Sequence, residues 1–230
     1  MKFGFVLPKT TNIEDVKRFA KKVEELGFES VWVADHVVLP IEQTNEYPYT
    51  EDGKFTAHPD DPQLDAFVLL SVLAAVTSKV AIGTSVIIVP YRNPIVQAKM
   101  FATLDVLSTG RVLCGIGVGW LREEFEALGV SYQARGAVTD EYLQVIKSLW
   151  SSNRPKFNGE HYRFSDIGFA PKPVRGKIPI WVGGHTRRAI RRAVKYGDAW
   201  HPTRQTPEQV AAMVPYLNSY CHEQGREREE

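Results

Sequence analysis

The chain has 230 residues, 43% of them hydrophobic, enough for a single domain with a large buried core. Acidic and basic residues nearly balance to a formal charge of +1, so there is no basic field for nucleic acid. No apolar run approaches the roughly 20 residues of a membrane-spanning helix. We also expect no signal peptide, because the first apolar stretch, MKFGFVLPK, is too short for one. Cys114 and Cys221 lie in unrelated contexts, so we expect no disulfide and a cytoplasmic protein.

Strands and helices alternate along the chain, and capping residues mark their boundaries. Asn12 precedes the first helix and Gly27 follows it, and Asn93-Pro94 opens a later one. An apolar strand without alternation, such as 80–89, is typical of a parallel sheet that is buried on both faces. The predicted strands are residues 3–7 (buried), 30–36, 80–89, 111–119, 178–184 and 198–202. The predicted helices are residues 13–26, 64–77, 94–108, 121–128, 136–152, 186–196 and 207–224.

Two segments interrupt this alternation. Residues 37–63 are rich in Pro, Asp, Tyr and Glu, and a loop of this length in a compact domain is usually functional or disordered, so we interpret it as a candidate lid. Residues 155–177 contain Asn158-Gly159, the strongest signal for a type I′ turn. We therefore predict that the chain forms a β-hairpin at the rim of the main sheet before it continues into the next strand.

Regular strand–helix repetition predicts an α/β fold, either a doubly wound sheet or a (β/α)8 TIM barrel. No G-x-G-x-x-G motif follows the first strand, which argues against a dinucleotide-binding fold. Barrel enzymes collect catalytic residues at the carboxyl ends of their strands, and glycines and polar residues recur there in this chain. We predict one domain, 1–230, folded as a TIM barrel that is incomplete at the C-terminus because only six main strands are visible.

Several motifs in order carry a resemblance to a known family. They are VWVADH, GTSVIIVPYRNP, LSTGRVLCGIGVGW, EEFEALG and IPIWVGG. Together they resemble the bacterial luciferase-like monooxygenase superfamily, most closely its F420-dependent oxidoreductase branch. Most members continue further and complete the barrel, so we expect this chain to be a truncation, a shortened gene product, or a relative like the short non-fluorescent flavoprotein of luminous bacteria.

The resemblance implies a flavin or deazaflavin ring across the barrel mouth. The ring would lie against a bulge of the third strand, with a cis peptide between Ser85 and Val86. Gly83 would let the backbone approach the ring, and Gly117 and Gly119 would keep space for it. The alternative for the glycines is ordinary packing of layered side chains inside a barrel.

The turn after the 178–184 strand is the predicted phosphate site, since FMN and F420 both carry a phosphate. Free N–H groups and the helix dipole favour an anion at such a turn. The residues are Gly183, Gly184, His185 and Thr186. Arg187 or Arg188, which follow, could add positive charge. Alternatively, the glycines only make a tight turn and these arginines are a solvated face.

Asp35 and His36 are the predicted catalytic pair, because the resemblance places them at the reactive edge of the ring and an imidazole titrates near neutrality. Alternatively, Asp35 caps the following loop and His36 is structural. Trp120 is expected to stack on the substrate or the ring, or else to anchor the next helix. The sugar-phosphate dehydrogenase of the family has an acidic residue at this position, which argues against that substrate.

From this resemblance we predict an oxidoreductase that transfers a hydride between coenzyme F420 and a small apolar organic substrate. One alternative is an FMN-dependent monooxygenase that uses oxygen with a partner flavin reductase. A second is a non-catalytic flavin-binding protein, and a cofactor-free isomerase would need metal ligands that the sequence lacks. An open barrel exposes strand edges, so we expect a homodimer, without nucleic-acid or membrane partners.

Overall fold

The computed structural model describes residues 2–44 and 46–227. Its strands are β1 Gly4–Val6, β2 Ser30–Val33, β3 Ala81–Thr84, β4 Ile87–Ile88, β5 Val112–Gly117, β6 Phe157–Asn158, β7 Arg163–Phe164, β8 Ile180–Gly183 and β9 Ala199–His201. Its helices are α1 Ile13–Glu25, α2 Ala66–Val76, α3 Pro94–Leu107, α4 Arg122–Ala127, α5 Arg135–Ser151, α6 Arg187–Tyr196 and α7 Pro207–Glu223.

The main sheet is parallel and has the order β1-β2-β3-β5-β8-β9, with the short β4 added beside β5. β1 and β9 are its two ends, so within the described residues the sheet curls without closing. Helices lie between successive strands, as parallel pairing requires. The predicted α/β TIM barrel, incomplete at its C-terminal side, is therefore confirmed.

The helix boundaries follow the local signals of the sequence. The Asn12 side chain accepts a hydrogen bond from the Glu14 N–H at the start of α1, and Asn93 caps α3 in the same way. Gly27 follows α1 with φ of +76°, a conformation that glycine adopts without a Cβ penalty.

The prediction that the first strand is buried is wrong. β1 pairs only with β2, and its side chains are exposed, with Phe3 just before it 60% exposed. The strand's apolar composition is that of an interior strand, but its position at the open end of the sheet leaves one edge without a neighbour.

The predicted strand over 80–89 is broken in two. β3 ends at Thr84, a cis peptide joins Ser85 to Val86 as predicted, and β4 then pairs with β5. A 3-10 turn at Val89–Tyr91 follows. The break turns the backbone at the mouth of the barrel.

The hairpin exists, but the predicted Asn158-Gly159 turn is wrong. The Gly159 N–H donates to the Tyr162 carbonyl at 2.9 Å, so the turn lies two residues later than predicted. The Glu141 carboxylate of α5 accepts from the N–H groups of residues 160–162, and a Cβ on Gly159 would lie 2.3 Å from that carboxyl group. Gly159 is therefore explained by the close approach of Glu141.

Candidate active site

A cavity of about 320 Å³ opens at the carboxyl ends of the strands. Small-molecule sites span about 300–1,000 Å³, so this cavity fits a planar ring more readily than a whole dinucleotide. Most of the predicted site residues line it, whereas His185 and Thr186 lie just beyond its wall. The predicted residues in the wall are Asp35, His36, Ser85, Val86, Gly117, Gly119, Trp120, Gly183 and Gly184.

His36 is held by a residue that the sequence analysis did not single out, Glu124 of α4. The His36 Nδ1 lies 2.9 Å from Glu124 Oε2, and the imidazole side chain is 17% exposed. The Tyr91 hydroxyl donates to the same carboxylate oxygen at 2.9 Å. Burial, followed by the charge of Glu124, raises the pKa of Tyr91, so this phenol stays protonated. The arrangement presents a fixed imidazole to the cavity.

Asp35 has the contacts of a structural carboxylate. It is buried, it accepts two hydrogen bonds of 2.8 Å from the Arg92 guanidinium, and it accepts a third from the Ile88 N–H at 3.0 Å. Arg92 also binds Asp65 at 3.0 Å. Both oxygens of Asp35 are engaged, which makes His36 the better placed of the two for proton transfer.

Gly117 and Gly119 do not clear space for a ring in the way predicted, and Gly83 and Gly183 also lie against side chains. A Cβ on Gly117 would lie 2.6 Å from Val86 Cγ2, and one on Gly183 would lie 2.9 Å from Val86 Cγ1. A Cβ on Gly119 would meet the Phe125 ring at 2.6 Å, and one on Gly83 would meet Trp32 at the same distance. The space beside these glycines is filled by the protein's own side chains, as in the packing alternative.

His201, the last residue of β9, contacts Ser85 of the cavity wall. Its Nε2 lies 2.9 Å from the Ser85 hydroxyl, and its ring stacks on Trp32 with centroids 5.5 Å apart. Trp181 lies against the same imidazole at 5.9 Å. Burial lowers the pKa of His201, so the ring is neutral at physiological pH.

The predicted phosphate turn is formed where β8 ends. Gly184 has φ of +116°, and its N–H donates to the His201 carbonyl at 3.1 Å. The Thr186 hydroxyl caps α6 by accepting from the Ala189 N–H. The Nδ1 of His185 is buried and has no hydrogen-bond partner among the described residues. A buried polar atom without a partner is costly, and a ligand could satisfy it here.

Aromatic side chains of the predicted lid cover the mouth. Tyr47 contacts Trp120 with ring centroids 4.9 Å apart, and Phe55 contacts Trp120 at 5.2 Å. Tyr49 meets His185 at 5.3 Å on the opposite side. These residues join the loop of residues 37–63 to both walls of the cavity.

Residues 1–230 match the family model described as luciferase-like monooxygenase. The chain belongs to this family. An uncharacterized protein of Mycobacterium tuberculosis is 31% identical over 90% of this chain and 71% of its own length. An F420-dependent glucose-6-phosphate dehydrogenase of Kineococcus radiotolerans is 36% identical over 79% of this chain and 50% of its own length.

A solved structure of an F420-dependent secondary alcohol dehydrogenase, in complex with an F420-acetone adduct, shares the fold. The TM-score is 0.79 at 24% identity, and the match covers 99% of this chain and 66% of that one. The luciferase-like chain therefore spans half to about two thirds of the length of its named F420-dependent counterparts.

Two further findings concern metal binding and membrane spanning, and a third concerns the fit of a cofactor. In the described part of the chain, no group of His, Cys, Asp and Glu side chains is arranged to bind a metal ion. Each helix described is too short or too polar to cross a bilayer. The unpartnered His185 Nδ1 beside the start of α6 fits the phosphate of a flavin or deazaflavin, and the cavity volume fits the ring.

Proposed function

We propose that the chain is an oxidoreductase that transfers a hydride between coenzyme F420 and a small apolar organic substrate in the cytoplasm. The observation that carries the proposal is the His36 imidazole in the cavity wall, held at Nδ1 by a buried carboxylate. A proton-transfer group fixed in this way suits a reaction in which a proton accompanies the hydride. Family membership and the F420-dependent relative support the choice of cofactor.

Each part of the site has a role in this reaction. When bound, F420 supplies the ring carbon that accepts or donates the hydride. As a substrate lost a hydride, Nε2 of His36 would take the departing proton, and the reverse reaction would return it. The turn from Gly183 to Thr186, with the His185 imidazole, would hold the phosphate through the N–H groups at the start of α6 and the dipole of that helix, because the Gly184 N–H already donates to the His201 carbonyl.

The lid and the cavity wall set the substrate class. Tyr47, Phe55 and Trp120 make an aromatic cover, and Ile88 adds an aliphatic side chain to the wall. Such a surface binds apolar groups and excludes water from the reacting atoms. A sugar phosphate would find no acidic side chain at Trp120 to receive its hydroxyl groups.

The family description favours a second candidate, an FMN-dependent monooxygenase that receives reduced FMN from a partner reductase. The sheet is open at β1 and β9, and this incomplete barrel favours a third candidate, a non-catalytic flavin-binding protein. In all three cases we propose a homodimer that covers the exposed side chains of β1.

Fluorescence titration with F420 and with FMN separates the F420-dependent enzyme from the FMN-dependent monooxygenase. Our proposal predicts tight binding of F420 and weaker binding of FMN. Selective binding of FMN would support the monooxygenase, and binding of neither would refute the assignment of a cofactor site.

Two variants test the roles of individual residues. Gly184→Asp places a carboxylate at the phosphate turn and should abolish binding, whereas Gly168→Asp, where added atoms meet open space, should not. Because Gly184 has positive φ, His185→Ala tests the same turn without backbone strain and should weaken binding. His36→Ala should keep cofactor binding and lose turnover, and retained turnover would remove the proton-transfer role.

A further inference from the structure

Glu124 is a buried carboxylate surrounded by donors. Its side chain is 0% exposed, although it lies in the acidic first turn of α4. Oε2 is 2.9 Å from His36 Nδ1 and accepts from the Tyr91 hydroxyl at 2.9 Å. Oε1 accepts from the N–H groups of Val37 at 2.6 Å and Val38 at 3.3 Å. Four donors around one buried carboxylate satisfy it fully.

This arrangement decides which nitrogen of His36 carries the proton. An ionised carboxylate only accepts hydrogen bonds, so the His36 Nδ1 that faces it must donate. A neutral imidazole has a single N–H, and Nε2 is then free of a proton and can accept one. Because the ring lines the cavity, Nε2 is the nitrogen left for a ligand.

We propose that Glu124 is a positioning residue that fixes the Nδ1–H tautomer of His36. Its bonds to the first two residues of the lid hold the imidazole and the start of that loop in one arrangement. This inference rests on the proposed function for its catalytic consequence: Nε2 can take the substrate proton as the hydride passes to F420. The tautomer itself is a property of the protein alone.

Other charged and titratable groups near this pair do not replace Glu124. Tyr91 is a donor to the carboxylate, and its raised pKa keeps it one. Asp35 and Arg92 are committed to each other through two hydrogen bonds. Glu124 is therefore the acceptor that the structure gives to His36 Nδ1.

The decisive variant is Glu124→Gln, which keeps the shape and changes one acceptor into a donor. The amide oxygen must still accept from the Val37 N–H, so the NH2 group lies toward His36 and Tyr91. That NH2 donates to Nδ1, and the ring must then carry its proton on Nε2. We expect the tautomer to reverse.

The measurement is the ¹⁵N chemical shift of both ring nitrogens by NMR, on cofactor-free protein labelled at histidine. We expect Nδ1–H in the unmodified chain and Nε2–H in Glu124→Gln. Glu123→Gln is the matched control, because it neutralises the adjacent acid that binds Thr44 of the lid and should leave the tautomer unchanged. An Nε2–H ring in the unmodified chain overturns the proposal without any variant, and so does an unchanged ring in Glu124→Gln.

Turnover connects the tautomer to the reaction. Glu124→Gln should lower kcat about 10- to 100-fold with little change in KM, and Glu124→Asp should restore part of the loss. Adding Glu124→Gln to His36→Ala should lower kcat no further, since the two residues act as a unit. Full turnover in His36→Ala would refute the proposed function while leaving the tautomer result intact. A normal tautomer in Glu124→Gln would refute only the positioning role.

Discussion

Arg92 is the residue whose removal should cost the most stability around the site. Its guanidinium donates two hydrogen bonds of 2.8 Å to the buried Asp35 and one of 3.0 Å to Asp65. Burial opposes the charge of Arg92, but these carboxylates outweigh it and raise its pKa. Arg92→Met keeps much of the side-chain volume and removes all three bonds.

The expected loss follows from what Asp35 keeps. Its carboxylate retains one donor, the Ile88 N–H, and loses two charge-assisted bonds worth about 1.5–3 kcal/mol each. Removing one partner of a buried ion pair typically costs about 3–5 kcal/mol. We therefore expect Arg92→Met to lower the free energy of unfolding by about 4 kcal/mol.

Urea denaturation, with Arg18→Met as the matched control, measures this loss. Arg18 pairs with Asp15 at 2.7 Å on α1, but the side chain is 81% exposed, so its loss should stay within about 0.5 kcal/mol. Adding Asp35→Asn to Arg92→Met should recover part of the loss, because an amide is cheaper to bury than an unpaired charge. Equal losses in the two single variants would refute the structural role assigned to Asp35.

Three further outcomes follow from particular contacts. Gly117→Ala should cost about 1–3 kcal/mol by overpacking against Val86, and the added change Val86→Ala should relieve it, as measured by thermal unfolding. Burial raises the pKa of Glu24, but the backbone N–H groups of residues 78–80 and the Ser78 hydroxyl together outweigh it and lower the pKa to about 2. Its stabilising effect, about 1–2 kcal/mol after solvent screening, is therefore present above pH 4.5 and lost as pH falls toward 2, and Glu24→Gln should flatten this part of the stability profile. Glu141→Ala should speed hydrogen exchange of the hairpin-turn amides at least 10-fold, and unchanged rates would contradict the contact.

Local rules of sequence were enough for much of the fold. Asn12, Gly27 and Asn93 mark helix ends through contacts within a few residues, and those contacts are present in the structure. Burial of β1 was not predictable in this way. It depends on whether another strand closes the barrel beside it, and the apolar pattern of Phe3 to Leu7 is the same in either case.

Of the hydrogen-bonded pair His36 and Glu124, only His36 was predicted from the sequence. The acids Glu123, Glu124 and Glu126 follow one another in α4, and a sequence pattern does not distinguish an acid that faces the core from one that faces solvent. Glu124 is buried because it faces His36, the N–H groups of the lid's first residues and Tyr91 of the 3-10 turn, whereas Glu126 on the same helix is exposed. His36 was predictable because it follows a strand within the motif VWVADH that carries the family resemblance, whereas its partner is 88 residues away.

Gly117 and Gly183, at the strand ends beside the cavity, show how far a glycine pattern can be interpreted. Glycine spacing at strand ends indicates that space beside the backbone is taken, but it does not say by what. Here the two methyl groups of Val86 lie 2.6 and 2.9 Å from where Cβ atoms of Gly117 and Gly183 would be, too close for either atom. Val86 is part of the cavity wall, and the two glycines leave room for its side chain. Because Val86 lines the cavity, we expect the size of the residue at position 86 to affect how much room the cavity leaves for a ligand.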